Sequence, residues 1–143
     1  MPKPTKITEH FTSTEFGCKD GTAYPPAWIT SRLRPLCVAL EVLRGAIGKP
    51  ITILSGFRTE AYNRRIGGAR ASQHVEGRAA DIVVPGLTAA KVHAVVLALH
   101  AEGKIAIGGL GAYPNFTHVD VRPAAKLARW GGSRTAEQTV GGA

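Results

Sequence analysis

The sequence lacks any long apolar run. No stretch approaches the roughly 18 apolar residues that a transmembrane helix requires. The N-terminal stretch MPKPTKITEHFTSTEF also has no apolar run of about seven residues after its basic start, as a secretory signal would have. We therefore expect a product that is synthesised in the cytoplasm without a signal peptide and that does not insert into a membrane.

Cysteine is scarce as well. Cys18 and Cys37 form no CxxC or CxxxC pair, so the usual cysteine spacings of metal and redox motifs are absent. Cys37 falls in the apolar run LRPLCVALEVL and is expected to be a buried thiol, whereas Cys18 in FGCKDG is expected on a loop. A disulfide between them stays open, although a domain of 143 residues does not need one.

Negative charge is sparse compared with positive charge. Lys and Arg number 18 against 10 Asp and Glu, which gives a formal net charge of +8 and a pI near 10.0. Such a protein is attracted to polyanions. No block of five or six consecutive basic residues occurs, which argues against a specific nucleic-acid partner. Anionic cell-wall polymers remain candidate partners, and so does the alternative that the charge serves solubility alone.

The hydrophobic pattern predicts one mixed domain without internal repeats. Apolar residues at three- and four-residue steps predict a helix from Trp28 to Ile47, ended by Gly45 and Gly48, and a second helix begins after Thr88 as its N-cap. Strands are expected at ITIL and ADIVV, a short helix at TEAYN, and a hairpin formed by IAIGGLG and FTHVDV.

The two ends of the chain give weaker patterns. The segment up to about Pro26 reads as irregular structure that packs through Phe11 and Phe16. The glycine-rich stretch at 131–143 is expected to be a flexible tail. We expect a single domain over 1–143 with its core at about 8–130, and a monomer.

Residues that could hold a metal are few and are concentrated in two segments. The chain has three Asp, and two of them, Asp81 and Asp120, lie near His74 and His118. The first segment reads Ser72-x-His74-x-x-Gly77-x-Ala79-x-Asp81, and no HExxH helix offers a different zinc site. His93 and His100 lie on the second predicted helix and are excluded as ligands.

Strand alternation places the acidic side chains on one face. Asp81 is expected to point away from Ala80 and Ile82, and His118 and Asp120 are expected to point together. A buried charge in such a strand is costly unless it is paired or binds a metal. The residues alone leave two interpretations open: a metal site, or a half-exposed polar sheet face beside an ordinary loop histidine.

Three stretches resemble the signature blocks of the zinc D-Ala-D-Ala carboxypeptidase family, the LAS metallopeptidases, which include VanX-type dipeptidases, phage L-alanyl-D-glutamate endolysins and murein endopeptidases. These stretches are SGFRTEAYN, SQHVEGRAADI and GGLGAYPNFTHVDVRP, and the similarity extends over about 8–130. The resemblance implies an α+β fold of the LAS/Hedgehog type, with a small central antiparallel sheet and helices on one side. It also implies one Zn²⁺ per chain, held by His74, Asp81 and His118.

The same resemblance assigns roles to four further residues. It implies that Arg58 lies at the site and holds the substrate carboxylate or the developing oxyanion, for which a fixed planar cation is suited. The alternative for Arg58 is a structural salt bridge. Ser72 and Gln73 are expected to support substrate binding through hydrogen bonds, and Tyr113 to line the cleft.

The sequence departs from the family pattern at the general base. Many members have Glu or Asp three residues before the last histidine ligand, or His two residues before it, but Asn115 and Phe116 stand at those positions. Asp120 is the replacement candidate, since it shares the strand face of His118. The alternatives are that Asp120 only orients His118, or that Glu76 is the base.

The resemblance predicts a zinc metallopeptidase that hydrolyses peptide bonds of bacterial peptidoglycan as a carboxypeptidase or endopeptidase, for which a phage-type endolysin acting at the cell wall is one form. Two other functions stay open. One is a non-catalytic zinc-containing module that binds the cell wall, which the missing base would allow. The other is a cytoplasmic D-Ala-D-Ala dipeptidase.

Overall fold

A five-stranded sheet organises residues 4–131, which the computed structural model describes. Its spatial order is β3-β4-β6-β5-β7, and every neighbouring pair is antiparallel except β5 and β7, which run parallel. The predicted α+β class with a central antiparallel sheet is confirmed. The strands are β3 (Thr52–Ser55), β4 (Ala79–Val83), β5 (Gly109–Ala112), β6 (Thr117–Asp120) and β7 (Ala128–Gly131).

The strand β7 was not predicted. Its last residue, Gly131, was assigned to the flexible tail, yet it pairs with Ala112 of β5. Two parallel strands that are distant in sequence leave no local hairpin pattern, which is why the sequence did not indicate this strand. The rest of the predicted tail, 132–143, lies outside the described residues.

Within residues 4–131, three α-helices accompany the sheet, and the first shows both a success and an error of the prediction. Helix α1 (Arg34–Ile47) buries the predicted apolar stripe and ends at Gly48, whose φ of 75° is the left-handed conformation that glycine favours. Gly45 lies inside the helix and does not end it. The segment before α1, at 26–33, forms 3-10 and π turns, so the regular helix begins six residues later than predicted.

The other two helices follow their predicted starts. Helix α3 (Ala89–Ala101) begins after Thr88, whose side chain accepts a hydrogen bond from the backbone N–H of Lys91. Helix α2 (Glu60–Arg65) is capped by Thr59 in the same way. Helix α3 packs on β5 and β6, and α1 packs against α3. The buried apolar residues of the sheet and of both helices belong to one core, which includes Ala80, Ile82, Leu110, Val119, Leu36, Leu40, Val92 and Val96.

The N-terminal segment has more regular structure than predicted. It forms a small separate sheet of β1 (Lys6–Thr8) and β2 (Phe11–Thr12). The sequence did not predict this sheet, because so short a chain reversal leaves few residues from which to recognise it. Phe11 and Phe16 are buried as expected, and their rings meet edge to face at 6.2 Å. This segment therefore adds to the core beneath the end of β3.

Both cysteines are free and buried. Cys18 is 6% exposed although a loop holds it, because the N-terminal segment folds onto the core. Burial raises the pKa of the Cys37 thiol to about 12, so this side chain is an unreactive part of the core. Among residues 4–131, no helix has both the length and the apolar character to cross a bilayer.

Gly56 shows how closely the N-terminal segment approaches β3. A Cβ at this position would lie 2.7 Å from the Cα of Phe16 and 2.8 Å from its carbonyl oxygen. The backbone N–H of Phe57 also donates to that oxygen at 2.9 Å. The two backbones are thus in direct contact, and only glycine fits between them.

We predict that Gly56→Ala destabilises the protein by about 1–3 kcal/mol, since the added methyl group must displace backbone rather than a flexible side chain. The matched control is Gly45→Ala, on the exposed side of α1 with nothing within 4 Å. It should raise stability by about 0.5–1 kcal/mol through higher helix propensity. Urea denaturation of both variants measures this, and equal effects would contradict the close approach.

Candidate metal centre

The structure brings together the three residues that were predicted as metal ligands. His74 lies on the loop before β4, Asp81 lies within β4, and His118 lies directly opposite Asp81 on β6. One potential ligand atom from each residue lies within 4.8 Å of the other two, and all three side chains are fully buried. This is an arrangement that can hold a metal ion, and their role as ligands stays a prediction.

In each histidine ring, the nitrogen that points away from Asp81 is hydrogen-bonded to an oxygen, which fixes the orientation of the ring. The Nδ1 of His74 is 2.8 Å from the carbonyl oxygen of Gly56, which can only accept, so this nitrogen donates its proton. The Nε2 of His118 is 2.8 Å from the Oδ2 of Asp120, and it donates in the same way. In each neutral ring, the other nitrogen therefore presents a lone pair to the centre.

Three hydrogen-bond acceptors then meet at one point. The Oδ1 of Asp81 is 3.2 Å from the Nε2 of His74 and 3.1 Å from the Nδ1 of His118. Lone pairs at such distances repel unless a cation lies between them. Zinc–nitrogen bonds of about 2.0–2.1 Å in a tetrahedron place neighbouring ligand atoms about 3.3 Å apart. The donor chemistry of this set and these two distances fit a zinc ion.

The pKa shifts of His74, Asp81 and His118 favour the binding of a positive charge between these side chains. Burial lowers the pKa of His74, which keeps that ring neutral. Burial alone would raise the pKa of Asp81, but its close contacts with the rings of His74 and His118 hold it below its usual value. Burial likewise opposes a charge on His118, yet its hydrogen bonds to Asp120 and Asp81 raise its pKa. A proton on His118 and a metal ion are thus alternative cations for the same position.

Arg58 lies beside the centre, and its guanidinium group contacts Asp81. Its Nη2 is 3.3 Å from the Oδ2 of Asp81, the oxygen that does not face the histidines, and its side chain is fully buried. Its Nε donates to Ser55 and its Nη1 donates to Asn63, at 3.3 and 3.2 Å. These contacts support the structural salt bridge rather than contact with substrate. Asn63 lies in one of the signature stretches, but its partner could not be identified from the sequence.

The carboxylate of Asp120 accepts hydrogen bonds from several neighbouring groups. Besides His118, it accepts two hydrogen bonds from the guanidinium of Arg122, at 2.9 and 2.7 Å, and one from the backbone N–H of Arg122 at 3.1 Å. These bonds outweigh burial and hold the pKa of Asp120 at about 2. It touches the nitrogen of His118 that points away from Asp81. The geometry therefore favours the orienting role over the proton-accepting role.

Glu76 has a different environment. Its side chain is 50% exposed and pairs with Arg32 and Arg78 at 3.5 and 3.4 Å, which are weak surface contacts. It lines a cleft of about 330 Å³ together with Ser72, Gln73 and Arg122. Of the two candidate carboxylates, Glu76 is thus the one that solvent can reach.

The predicted substrate-binding residues are partly explained by local contacts. The hydroxyl oxygen of Ser72 accepts a hydrogen bond from the backbone N–H of His74 at 3.1 Å, so it shapes the ligand loop. The Oε1 of Gln73 is buried and has no hydrogen-bond partner among residues 4–131. Tyr113 stacks on Phe116 at 4.5 Å, and its hydroxyl accepts a hydrogen bond from Trp130. Their contact with a substrate stays a prediction.

We predict that Zn²⁺ stabilises the protein against unfolding and that Mg²⁺ does not, because two imidazoles and one carboxylate suit zinc. Zinc at 100 times its Kd should add about 2.7 kcal/mol to the free energy of unfolding. His74→Ala should abolish this gain, and His93→Ala, on α3 away from the centre, should retain it. Thermal denaturation with each metal provides the measurement, and equal stabilisation of both variants would refute the ligand set.

Comparison with known proteins gives a consistent result. Residues 6–120 match the family described as Peptidase M15. The chain is 33% identical over 91 residues to Peptidoglycan L,D-endopeptidase MepK of Escherichia coli (strain K12), a match that covers 57% of this chain and 47% of that protein. It is 48% identical over 44 residues to Zinc D-Ala-D-Ala carboxypeptidase of Streptomyces albus G, over 30% of this chain and 17% of that protein. The chain thus spans about half the length of the first relative and less of the second.

Proposed function

The chain belongs to the peptidase M15 family, and we propose that it is a zinc-dependent peptidase that hydrolyses peptide bonds of bacterial peptidoglycan. The observation that carries this proposal is the convergence of two imidazole lone pairs and one carboxylate oxygen in a buried site. Such a set needs a cation and matches the donor chemistry of zinc. The names of the two relatives, a peptidoglycan endopeptidase and a zinc carboxypeptidase, support the same reaction and substrate.

His74, Asp81 and His118 would hold the zinc in this proposal, one ion per chain. A zinc ion in such a site acts as a Lewis acid and lowers the pKa of a coordinated water. The protein residues around it keep the ligands in place. Gly56 and Asp120 fix the two imidazole tautomers, and Arg58 binds the oxygen of Asp81 that faces away from the histidines. Arg58 and Asp120 thus act through the ligands.

Glu76 is then the candidate proton acceptor. It lines the cleft beside Ser72 and Gln73, and its carboxylate is exposed. Asn115 is exposed but has no acid function, and Phe116 is fully buried and apolar, so neither position can supply a base. In the same cleft, the buried acceptor of Gln73 is suited to a peptide N–H of the substrate.

We predict that Asp120→Asn and Glu76→Gln have different effects. Asp120→Asn should weaken zinc binding by about 10–100-fold, because a neutral amide is a weaker acceptor than a carboxylate for the Nε2 of His118 and no longer pairs with the charge of Arg122. Glu76→Gln should leave zinc affinity unchanged and lower kcat by about 10²–10⁴-fold. Competition with a chelating dye gives the affinities, and steady-state kinetics gives kcat. Wild-type zinc affinity with a lost kcat in Asp120→Asn would instead identify Asp120 as the base.

The missing family base favours one other candidate, a zinc-containing module that binds the cell wall without cleaving it. The net charge of +8 supports attraction to anionic wall polymers under either function. We propose one peptidase domain over 1–143, acting as a monomer. One form of this function is a phage-type endolysin, which would act on the cell wall during lysis of the host cell.

Digestion of purified peptidoglycan by the zinc-loaded protein, followed by mass spectrometry, tests the proposal. We expect new fragments that disappear with a chelator, return with zinc and are absent with His118→Ala, because that variant lacks a ligand. The fragment masses identify the bond.

Bound zinc and bound wall without fragments would support the binding module. Hydrolysis of free D-Ala-D-Ala but not of the wall would support a dipeptidase. Either result would overturn the proposal that the substrate is peptidoglycan.

A further inference from the structure

The proposed metal centre is part of a row of residues that crosses four strands. In this row, each residue is the direct cross-strand partner of the next, so all four share the same face of the sheet. The row runs from Asp81 on β4 through His118 on β6 and Gly111 on β5 to Trp130 on β7. The strand β7 thus brings an indole to the edge of the row that holds two of the proposed ligands.

Gly111 leaves the space that this indole occupies. A Cβ at position 111 would lie 2.6 Å from the Nε1 of Trp130 and 2.9 Å from the ring of Tyr113. Gly111 does not have a positive φ, so the position requires glycine for space rather than for conformation. Across this gap, the Trp130 ring contacts the His118 ring, with centroids 5.0 Å apart.

Trp130 is itself held from two directions. Its Nε1 donates a hydrogen bond to the hydroxyl of Tyr113 at 2.7 Å, and Tyr113 stacks on the buried Phe116. The guanidinium carbon of Arg122 lies 5.1 Å from the indole centroid, a cation–π contact. The same guanidinium binds Asp120, which in turn accepts from His118. His118 therefore has Asp120 at its far nitrogen and Trp130 against its ring.

We propose that Trp130 is a positioning residue for His118, in which the indole fills the space left by Gly111 and keeps the imidazole aimed at the metal. This inference rests on the proposed metal centre. It extends the functional unit to β7, which lies beyond the residues 6–120 that match the family. Trp130 acts through His118 and is not itself a ligand.

Zinc affinity of the full chain, measured by competition with a chelating dye, tests this role. Trp130→Ala should raise the zinc Kd by about tenfold, as expected when a support of a metal ligand is lost. Trp130→Phe retains an aromatic ring and should stay within about threefold of wild type. Gly111→Ala should weaken zinc binding like Trp130→Ala, since its methyl group displaces the indole, whereas Gly45→Ala should leave the Kd unchanged.

Fluorescence gives a second readout that does not depend on turnover or on the folding of a Trp130 variant. The chain has two tryptophans, so Trp28→Phe leaves Trp130 as the sole emitter. Titration of this protein with Co²⁺ should quench its emission with the stoichiometry of the centre, and excess Zn²⁺ should reverse the quenching. Adding His118→Ala should abolish the saturable quenching.

The outcomes separate this inference from the proposed function. If the wild-type protein binds neither Co²⁺ nor Zn²⁺, the metal centre itself is refuted. If it binds Zn²⁺ normally, but Trp130→Ala and Gly111→Ala both keep the wild-type Kd, the centre stands and the positioning role is overturned. If Trp130→Ala does not fold, by circular dichroism, then the zinc Kd of Gly111→Ala decides the question: a wild-type value overturns the positioning role, and a Kd raised about tenfold supports it.

Discussion

Three buried acceptors that point at one another are the constraint on which the rest of the structure depends. The Oδ1 of Asp81 lies close to a nitrogen of both His74 and His118, in a volume closed to solvent. Such an arrangement is unfavourable without a cation. It is stable only if each of the three side chains is also hydrogen-bonded on the side that faces away from the other two. Gly56, Asp120 and Arg58 provide these contacts. The strand pairing of β4 with β6 then sets Asp81 opposite His118.

The sequence predicted the parts of this arrangement that follow from periodicity and spacing. Alternation in AADIVV and FTHVDV placed Asp81, His118 and Asp120 on the face opposite to Ala80 and Val119, which are indeed in the core. Thr88 and Gly48 marked helix ends because their chemistry is local. The resemblance to the family supplied His74 and the choice of zinc.

Other features depended on side-chain contacts and packing that periodicity and spacing do not specify, and they could not be predicted. Strand alternation predicted the sheet face on which Asp120 lies. It did not predict that the Asp120 carboxylate would accept hydrogen bonds from Arg122, or that it would accept one from the Nε2 of His118, the nitrogen that points away from Asp81. Burial of Arg58 against Asp81 likewise depends on how the loop after β3 folds back. The pairing of β7 with β5 and the space above Gly111 depend on the assembled sheet, and glycine in a strand gives only an ambiguous signal of close approach.

Each carboxylate at the centre is matched by its own arginine, Asp81 by Arg58 and Asp120 by Arg122. Each of these carboxylates therefore has a guanidinium group as a counterion within the protein. Because both carboxylates already have counterions, they would offset less of a divalent ion's charge than two unpaired carboxylates would. A centre with such residual positive charge would favour negatively charged ligands. Anionic zinc-binding groups such as thiolates, hydroxamates and phosphonates are therefore the ligand chemistry that would suit a zinc ion held there.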